Sequence, residues 1–274
     1  MVLDMENMRR ELALLAGHLS ALPGFEGMTV GHDRLLPGDE AALDAAARTC
    51  WHDVLSDIDA HVCLRMARED IAAYATSSGA RRLGFARGDV LGMCISGGET
   101  APLYRIVRRD GMRFDLSLEL ICDDAISPSG IAPHVEREVT DAGRYWPRPT
   151  ERQSDAFWFV QVQALGKLLH GDYLIADHLT NCQVNETLVM QMRMRDDAAG
   201  TNVHRYGGRE SLAYRSAHAP KFCAGDDTAR SIADRLAAAA SAFDELNVQL
   251  CPDYVPRAEC FFAIWRAYEA ALGL

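Results

Sequence analysis

The chain has 274 residues, 49% hydrophobic and 24% charged, with 21 Gly and 10 Pro. That ordinary globular composition excludes intrinsic disorder, collagen-like repeats and long coiled coil. Its net charge of −11, from 39 acidic against 28 basic residues, is unsuited to gripping nucleic acid, itself a polyanion. No apolar run approaches the roughly 20 residues that span a bilayer. The acidic start Met1-Val-Leu-Asp-Met-Glu6 lacks a basic region followed by an apolar stretch. A cytoplasmic protein with no secretory leader, no nucleic-acid partner and no membrane segment is expected.

Leu12, Leu15, Leu19 and Leu22 recur at helical spacing up to Pro23-Gly24, which predicts a helix over 3–22. Gly27-Met-Thr-Val30 is a strand candidate that stops at Gly31-His32, and the Ala-rich stretch 40–48 predicts a helix. From Asp57 the pattern alternates strictly. Ile58, Ala60, Val62, Leu64 and Met66 fall on one face, and Asp57, Asp59, His61, Cys63 and Arg65 on the other, the signature of a half-buried strand. A helix over 67–77 should end at Ser77-Ser-Gly79.

Strands follow around 89–95, 102–108 and 112–121, with turns at Ser96-Gly97-Gly98 and Arg109-Asp110-Gly111. The second turn predicts a tight hairpin, because Asp-Gly supplies positive φ angles. Phe114, Leu116, Leu118 and Leu120 alternate with Asp115, Ser117 and Glu119. After Tyr145-Trp-Pro-Arg-Pro-Thr150 the strands cease. Trp158, Val162, Leu165 and Leu169 keep helical spacing, as do Ile232, Leu236, Phe243 and Leu246 behind candidate N-caps Asp226-Asp227. Phe261, Ile264, Trp265, Tyr268 and Leu272 make a closing helix. The expected class is α+β: a mixed sheet flanked by helices over 1–147, then an all-helical domain over 148–274.

Eight cysteines, at 50, 63, 94, 122, 182, 223, 251 and 260, form no C-x-x-C pair. Reduced, mostly buried thiols are expected rather than a zinc ribbon. Ser56-Asp57-Ile58-Asp59 is more informative. Two aspartates at i and i+2 of a strand point the same way with Cα atoms about 6.5 Å apart. Asp115 sits on the polar face of another strand, and if the two strands are neighbours, three carboxylates converge. Such a group is relieved by a hard divalent cation, most naturally Mg²⁺. Solvent-facing positions of amphipathic strands would show the same residues. In a purely structural sheet a cross-strand Lys or Arg is expected opposite them, and the segments around Asp57 and Asp115 show no obvious one.

The order of these residues resembles the ground plan of polymerase-β-type nucleotidyltransferases, a strand ending in Gly-[Gly/Ser], then an Asp-x-Asp strand, then a third Asp on a later strand. Asp110-Gly-Met-Arg-Phe-Asp-Leu-Ser-Leu118 is similar to the D-G-N-R-I-D-L-T-L segment of the aminoglycoside 6-adenylyltransferase (streptomycin adenylyltransferase) family. Ala156-Phe-Trp-Phe-Val160, running on to Gly166-Lys167, resembles that family's E-F-W-W-V helix and Lys-Gly pair. Ala176-Asp-His-Leu179 through Leu188-Val-Met-Gln-Met192 and the turn Gly200-Thr-Asn-Val203 resemble segments further along. The family's Gly-Ser step corresponds to Gly31-His32, so the serine is a histidine here.

The resemblance implies a Mg²⁺-dependent nucleotidyltransferase that uses ATP as co-substrate. It would transfer AMP to a hydroxyl of a small cationic acceptor such as an aminoglycoside, the chemistry of antibiotic resistance. Asp57 and Asp59 would hold the metal. Asp115 would complete the metal site or accept the hydroxyl proton, and Gly31, His32 and Lys167 would bind the nucleotide. Glu151, Asp155 and Asp172 are candidates for receiving a polycationic acceptor. The other implied reading keeps the fold without the catalysis, as a nucleotide-binding or interaction module.

Overall fold

The computed structural model describes residues 4–36, 38–122, 149–199 and 228–274. Two compact units emerge, Met1–Pro133 with Ile264–Leu274 and His134–Ala263. The boundary expected at 147, the N-caps Asp226-Asp227 and the turn at 200–203 lie outside the described residues. The architecture is α+β, a six-stranded mixed sheet with flanking helices followed in the chain by further helices.

The first unit opens with α1 (Met5–Ser20), whose free N-terminal amides are met by Asp4, its carboxylate accepting from Asn7 N at 2.8 Å. Then come β1 (Phe25–Val30), β2 (Asp33–Leu35), α2 (Glu40–Cys50) and β3 (Asp57–Met66). The short helices α3 (Arg68–Tyr74) and α4 (Ser77–Arg82) lead to β4 (Val90–Gly98), β5 (Ala101–Arg108) and β6 (Arg113–Cys122). The sheet order is β2-β1-β3-β6-β5-β4. Among the described strands only the pair β3·β6 is parallel. Parallel neighbours cannot be joined by a tight turn, and everything from Ala67 to Met112 serves as their crossover.

The alternation predicted for β3 and β6 is observed. Ile58, Val62 and Leu64 with Phe114, Leu116, Leu118 and Leu120 are buried in one core with Met8, Leu12 and Leu19 of α1 and Leu43 and Ala46 of α2. The opposite face of the same strands carries Asp57, Asp59, His61, Cys63, Asp115, Ser117 and Glu119. A one-residue slip of register would exchange the two sets, so burial of the apolar set fixes where the polar set stands.

Several local expectations are corrected. Residues 67–77 do not form one helix ended at Gly79. The break falls at Ala75-Thr76, where the Tyr104 hydroxyl donates to the Tyr74 carbonyl. Gly79 lies inside a new helix that begins at Ser77, and the Tyr104 hydroxyl occupies the space a Cβ would need there. Ser96-Gly97-Gly98 is not a turn but the end of β4, paired with Leu103, Pro102 and Ala101, and the reversal is Glu99-Thr100. The Asp110-Gly111 hairpin forms, though only Gly111 has positive φ, at 91°. Gly111 N donates to Arg108 O and Arg108 N to Met112 O, a three-residue loop rather than a two-residue one. Among the described cysteines only Cys50 is buried; strand alternation carries Cys63 onto the polar face.

In the second unit α5 (Glu151–Leu169) starts in a capping box formed by Thr150 and Gln153. It is followed by α6 (Tyr173–Ala199), α7 (Thr228–Leu250) and α8 (Ala258–Leu272). Trp158, Val162 and Leu165 are buried, as are Ile232, Leu236, Phe243 and Leu246. Phe157 stacks on Phe243 with centroids 3.5 Å apart, and Trp158 Nε1 donates to the Tyr254 hydroxyl at 2.8 Å. Tyr254 donates in turn to Asp244, which also accepts from the amides of Arg257 and Ala258 and so caps α8 from a neighbouring helix.

Asp155 is not available to an acceptor molecule. It is 1% exposed and paired with Arg257 at 2.7 Å. Asp172 is paired with Lys167 at 3.5 Å. The last part of α8 counts with the first unit, where the Tyr268 hydroxyl donates to Gly111 O at 2.7 Å and pins the β5–β6 turn.

Removing one partner of a buried ion pair strands the other charge, at a cost of roughly 3–5 kcal/mol. Asp155→Ala is therefore expected to lose stability of that order in urea unfolding, whereas Glu151→Ala, exposed on the same helix, should stay within about 0.5 kcal/mol.

Candidate functional site

The parallel register pairs Asp57 with Arg113 and Asp59 with Asp115. The polar face of β3 and β6 therefore brings Asp57, Asp59 and Asp115 together at the N-terminal end of β3. Local structure prepares that end. Ser56 Oγ accepts from the amides of His52 and Asp53, and the Asp53 carboxylate accepts from Leu55 N at 2.7 Å. These bonds fold the approach to β3 into a tight turn, so His52 and Asp53 shape the loop.

The carboxylates are not alone, contrary to the expectation that no cation stands opposite them. Arg113 Nη2 lies 3.3 Å from Asp57 Oδ2 and also donates to the Leu55 carbonyl. Arg105, the register partner of Asp115 on β5, places Nε 3.3 Å from Asp115 Oδ2. Three carboxylates against two guanidiniums leave one net negative charge. Nε of Arg105 and Nε of Arg113 are buried and make no hydrogen bond.

Asp115 is nonetheless pushed up to about 6, first by burial and next by the charge of Asp57, against the pull of Arg105. Asp59 is raised as well, by lost hydration and then by Asp57, with Arg113 and Arg105 opposing. Burial and repulsion among the carboxylates together outweigh the two arginines. Three hard oxygen donors under mutual repulsion fit a small divalent cation such as Mg²⁺.

Gly31 and His32 form the turn between β1 and β2, closed by the Val30–Asp33 pair. Val30 pairs with Ala60 across β3, which sets this turn at the Asp57–Asp59 end of the sheet. Gly31 has φ of 59°, and a Cβ there would meet Thr49 at 2.9 Å, so only glycine fits without strain. His32 is exposed. Lys167 belongs to the second unit, on the last turn of α5, paired with Asp172. Further along the polar face of β3 and β6, His61, Cys63 and Glu119 place their donor atoms within 4.8 Å of one another; the three aspartates are spaced more widely.

The structure is similar to that of an aminoglycoside 6-adenyltransferase from Bacillus subtilis, at 13% identity and a TM-score of 0.31, over 98% of each chain. No family model matches the chain, and no curated protein matches it.

A carboxyl whose folded pKa is raised from 3.8 to about 6 binds more protons folded than unfolded between those values. It therefore costs stability progressively as pH rises through that window. Asp115→Asn removes the cost. The variant is expected to melt about 2–4 °C above the parent at pH 7.5, the shift that roughly 1 kcal/mol gives in a domain of this size. The advantage should vanish below pH 4 in thermal scans across pH.

Proposed function

We propose that the chain is a Mg²⁺-dependent nucleotidyltransferase, transferring AMP from ATP to a hydroxyl of a small cationic acceptor such as an aminoglycoside. The observation that carries this reading is the parallel β3–β6 register, which sets Asp115 beside Asp59 and two residues along from Asp57 on the same face. That grouping, with the motifs around Asp57–Asp59 and Asp110–Leu118, supports a metal-assisted phosphoryl-transfer site. Asp57 and Asp59 would hold the cation, which when bound neutralises charge on the phosphates.

The remaining residues supply binding and proton transfer. Asp115, with its carboxyl near 6, is matched to accepting the acceptor's hydroxyl proton around neutrality. The oxygen of that hydroxyl forms its new bond to the α-phosphorus, the bond from the α-phosphorus to the β-bridging oxygen breaks, and pyrophosphate leaves. Arg105 and Arg113, paired with Asp115 and Asp57, carry guanidinium charge that favours anions beside the carboxylates. The Gly31-His32 turn offers its backbone and imidazole to the triphosphate.

A second reading, a nucleotide-binding or interaction module without transfer, is favoured by two observations. Arg105 and Arg113 already pair with two of the three carboxylates. Histidine also stands at position 32, where the family carries a serine.

A thermal-shift titration with ATP, GTP, CTP and UTP, each with and without Mg²⁺, separates the outcomes, because a ligand of the native state must stabilise it. The expected result is a Mg²⁺-dependent rise with ATP, and AMP-ester formation on adding an aminoglycoside. Asp57→Asn with Asp59→Asn should fold, lose the Mg²⁺-dependent part of the shift and lose transfer by at least about 100-fold. A shift without transfer supports a nucleotide-binding module; no shift with any nucleotide contradicts the transferase and favours an interaction module.

A further inference from the structure

Two residues beyond Asp59 on the same face of β3, His61 and Cys63 project side by side, and Glu119 stands at the register position opposite Cys63. Cys63 Sγ lies 3.5 Å from His61 Nε2 and 3.2 Å from Glu119 Oε2, and His61 Nε2 lies 3.4 Å from the same oxygen. With metal–ligand bonds of about 2.3 Å for sulfur and about 2.0–2.1 Å for nitrogen and oxygen, tetrahedral geometry requires edges of roughly 3.3–3.6 Å. The edges to His61 Nε2, 3.5 and 3.4 Å, have those dimensions, and the sulfur–oxygen edge, 3.2 Å, is slightly shorter.

The hydrogen bonds around His61 place a proton on Nδ1. Ser117 Oγ donates to Ala60 O at 3.3 Å. With its proton so used, it accepts from His61 Nδ1, 3.1 Å away. Nε2 faces Glu119 Oε2 at 3.4 Å. That approach is satisfied by a second ring proton or by a cation held between the two atoms. An Nδ1–H fixed by an outer-shell partner is also how metal-bound histidines are oriented.

We propose that His61, Cys63 and Glu119 form a Zn²⁺ site, separate from the aspartate group, with three protein ligands and a fourth position open to water or an exogenous donor. The donor set selects the metal. Thiolate and imidazole favour zinc over Mg²⁺, and thiolate with carboxylate balances its two charges. Both strands lie inside the sheet, with β1 beyond β3 and β5 beyond β6, so the ligands are held on rigid backbone. Gly27 is the β1 residue paired with Cys63 and contributes no side chain over the sulfur. His61 and Glu119 are themselves exposed, which leaves the metal an entry path.

The test is a calorimetric titration of the metal-free full chain with Zn²⁺ in excess Mg²⁺, joined to absorption spectra with Co²⁺ as the zinc substitute. One equivalent of Zn²⁺ is expected to bind unaffected by Mg²⁺. Co²⁺ should give intense tetrahedral visible bands with a thiolate charge-transfer band. Cys63→Ser should abolish the charge-transfer band and weaken Zn²⁺ binding at least 100-fold, with Glu119→Gln weakening it too. Ser117→Ala, acting through His61, should cost about 10–100-fold.

Asp57→Asn with Asp59→Asn should leave the zinc stoichiometry unchanged, so failure of the nucleotide reading would not touch this one. Absence of one-equivalent binding, or binding that survives Cys63→Ser in a variant with unchanged melting, overturns the site.

Discussion

The parallel pairing of β3 with β6 is the constraint on which the rest depends. It sets Ile58, Val62, Leu116 and Leu118 into the core. Because strand side chains alternate, the same register fixes which polar groups become neighbours on the other face. Burial of the apolar set stabilises the fold, and the meeting of Asp59 with Asp115 is its by-product. A parallel pair must be closed by a long crossover. That crossover ends in the β5–β6 hairpin, which delivers Arg105 beside Asp115, so the elements completing the sheet also set the charge of its polar face.

That face is under electrostatic tension. Two arginines stand beside three carboxylates, and still Asp115 is pushed up to about 6. In a face maintained for stability alone such a group would cost more than it contributes, since an apolar or neutral residue would serve at least as well. Groups displaced in this way by burial and like charge are what catalytic and cation-binding sites collect. The arginines bear on both readings: they are ready partners for phosphate oxygens, and they also limit how much negative charge a cation would find.

The sequence made the backbone of this account readable where periodicity is strong. Alternation over Asp57–Met66 and Arg113–Cys122 specified both strands and their buried faces, because a period of two has one interpretation over that length. Tertiary contacts overrode local signals elsewhere. Gly79 looked like a helix stop, but its missing side chain is needed by the Tyr104 hydroxyl, and Ser96-Gly97-Gly98 looked like a turn although cross-strand pairing holds it in β4. Asp155, read as a surface acid, is buried against Arg257, a partner 102 positions along the chain.

Arg105 was within reach of the sequence. A three-residue loop centred on Asp110, counted outward in equal steps, pairs 105 with 115, whereas a two-residue turn at Asp110-Gly111 pairs 105 with 116. Arg113 was not, since its place beside Asp57 depends on a parallel register that no turn dictates. The His61–Cys63–Glu119 grouping needed the same register: alternation already put His61 and Cys63 on one face, and the pairing of Cys63 with Glu119 completes it.

The central claim is that Asp57, Asp59 and Asp115 act together as a seat for a divalent cation carrying a triphosphate. Electron paramagnetic resonance of Mn²⁺, standing in for Mg²⁺, tests it most directly when free Mn²⁺ is counted against protein with a non-hydrolysable ATP analogue. The account predicts saturable Mn²⁺ binding enhanced by the analogue, lost in Asp57→Asn with Asp59→Asn and retained in Cys63→Ser. Equal Mn²⁺ binding by the parent and the double aspartate variant would contradict it.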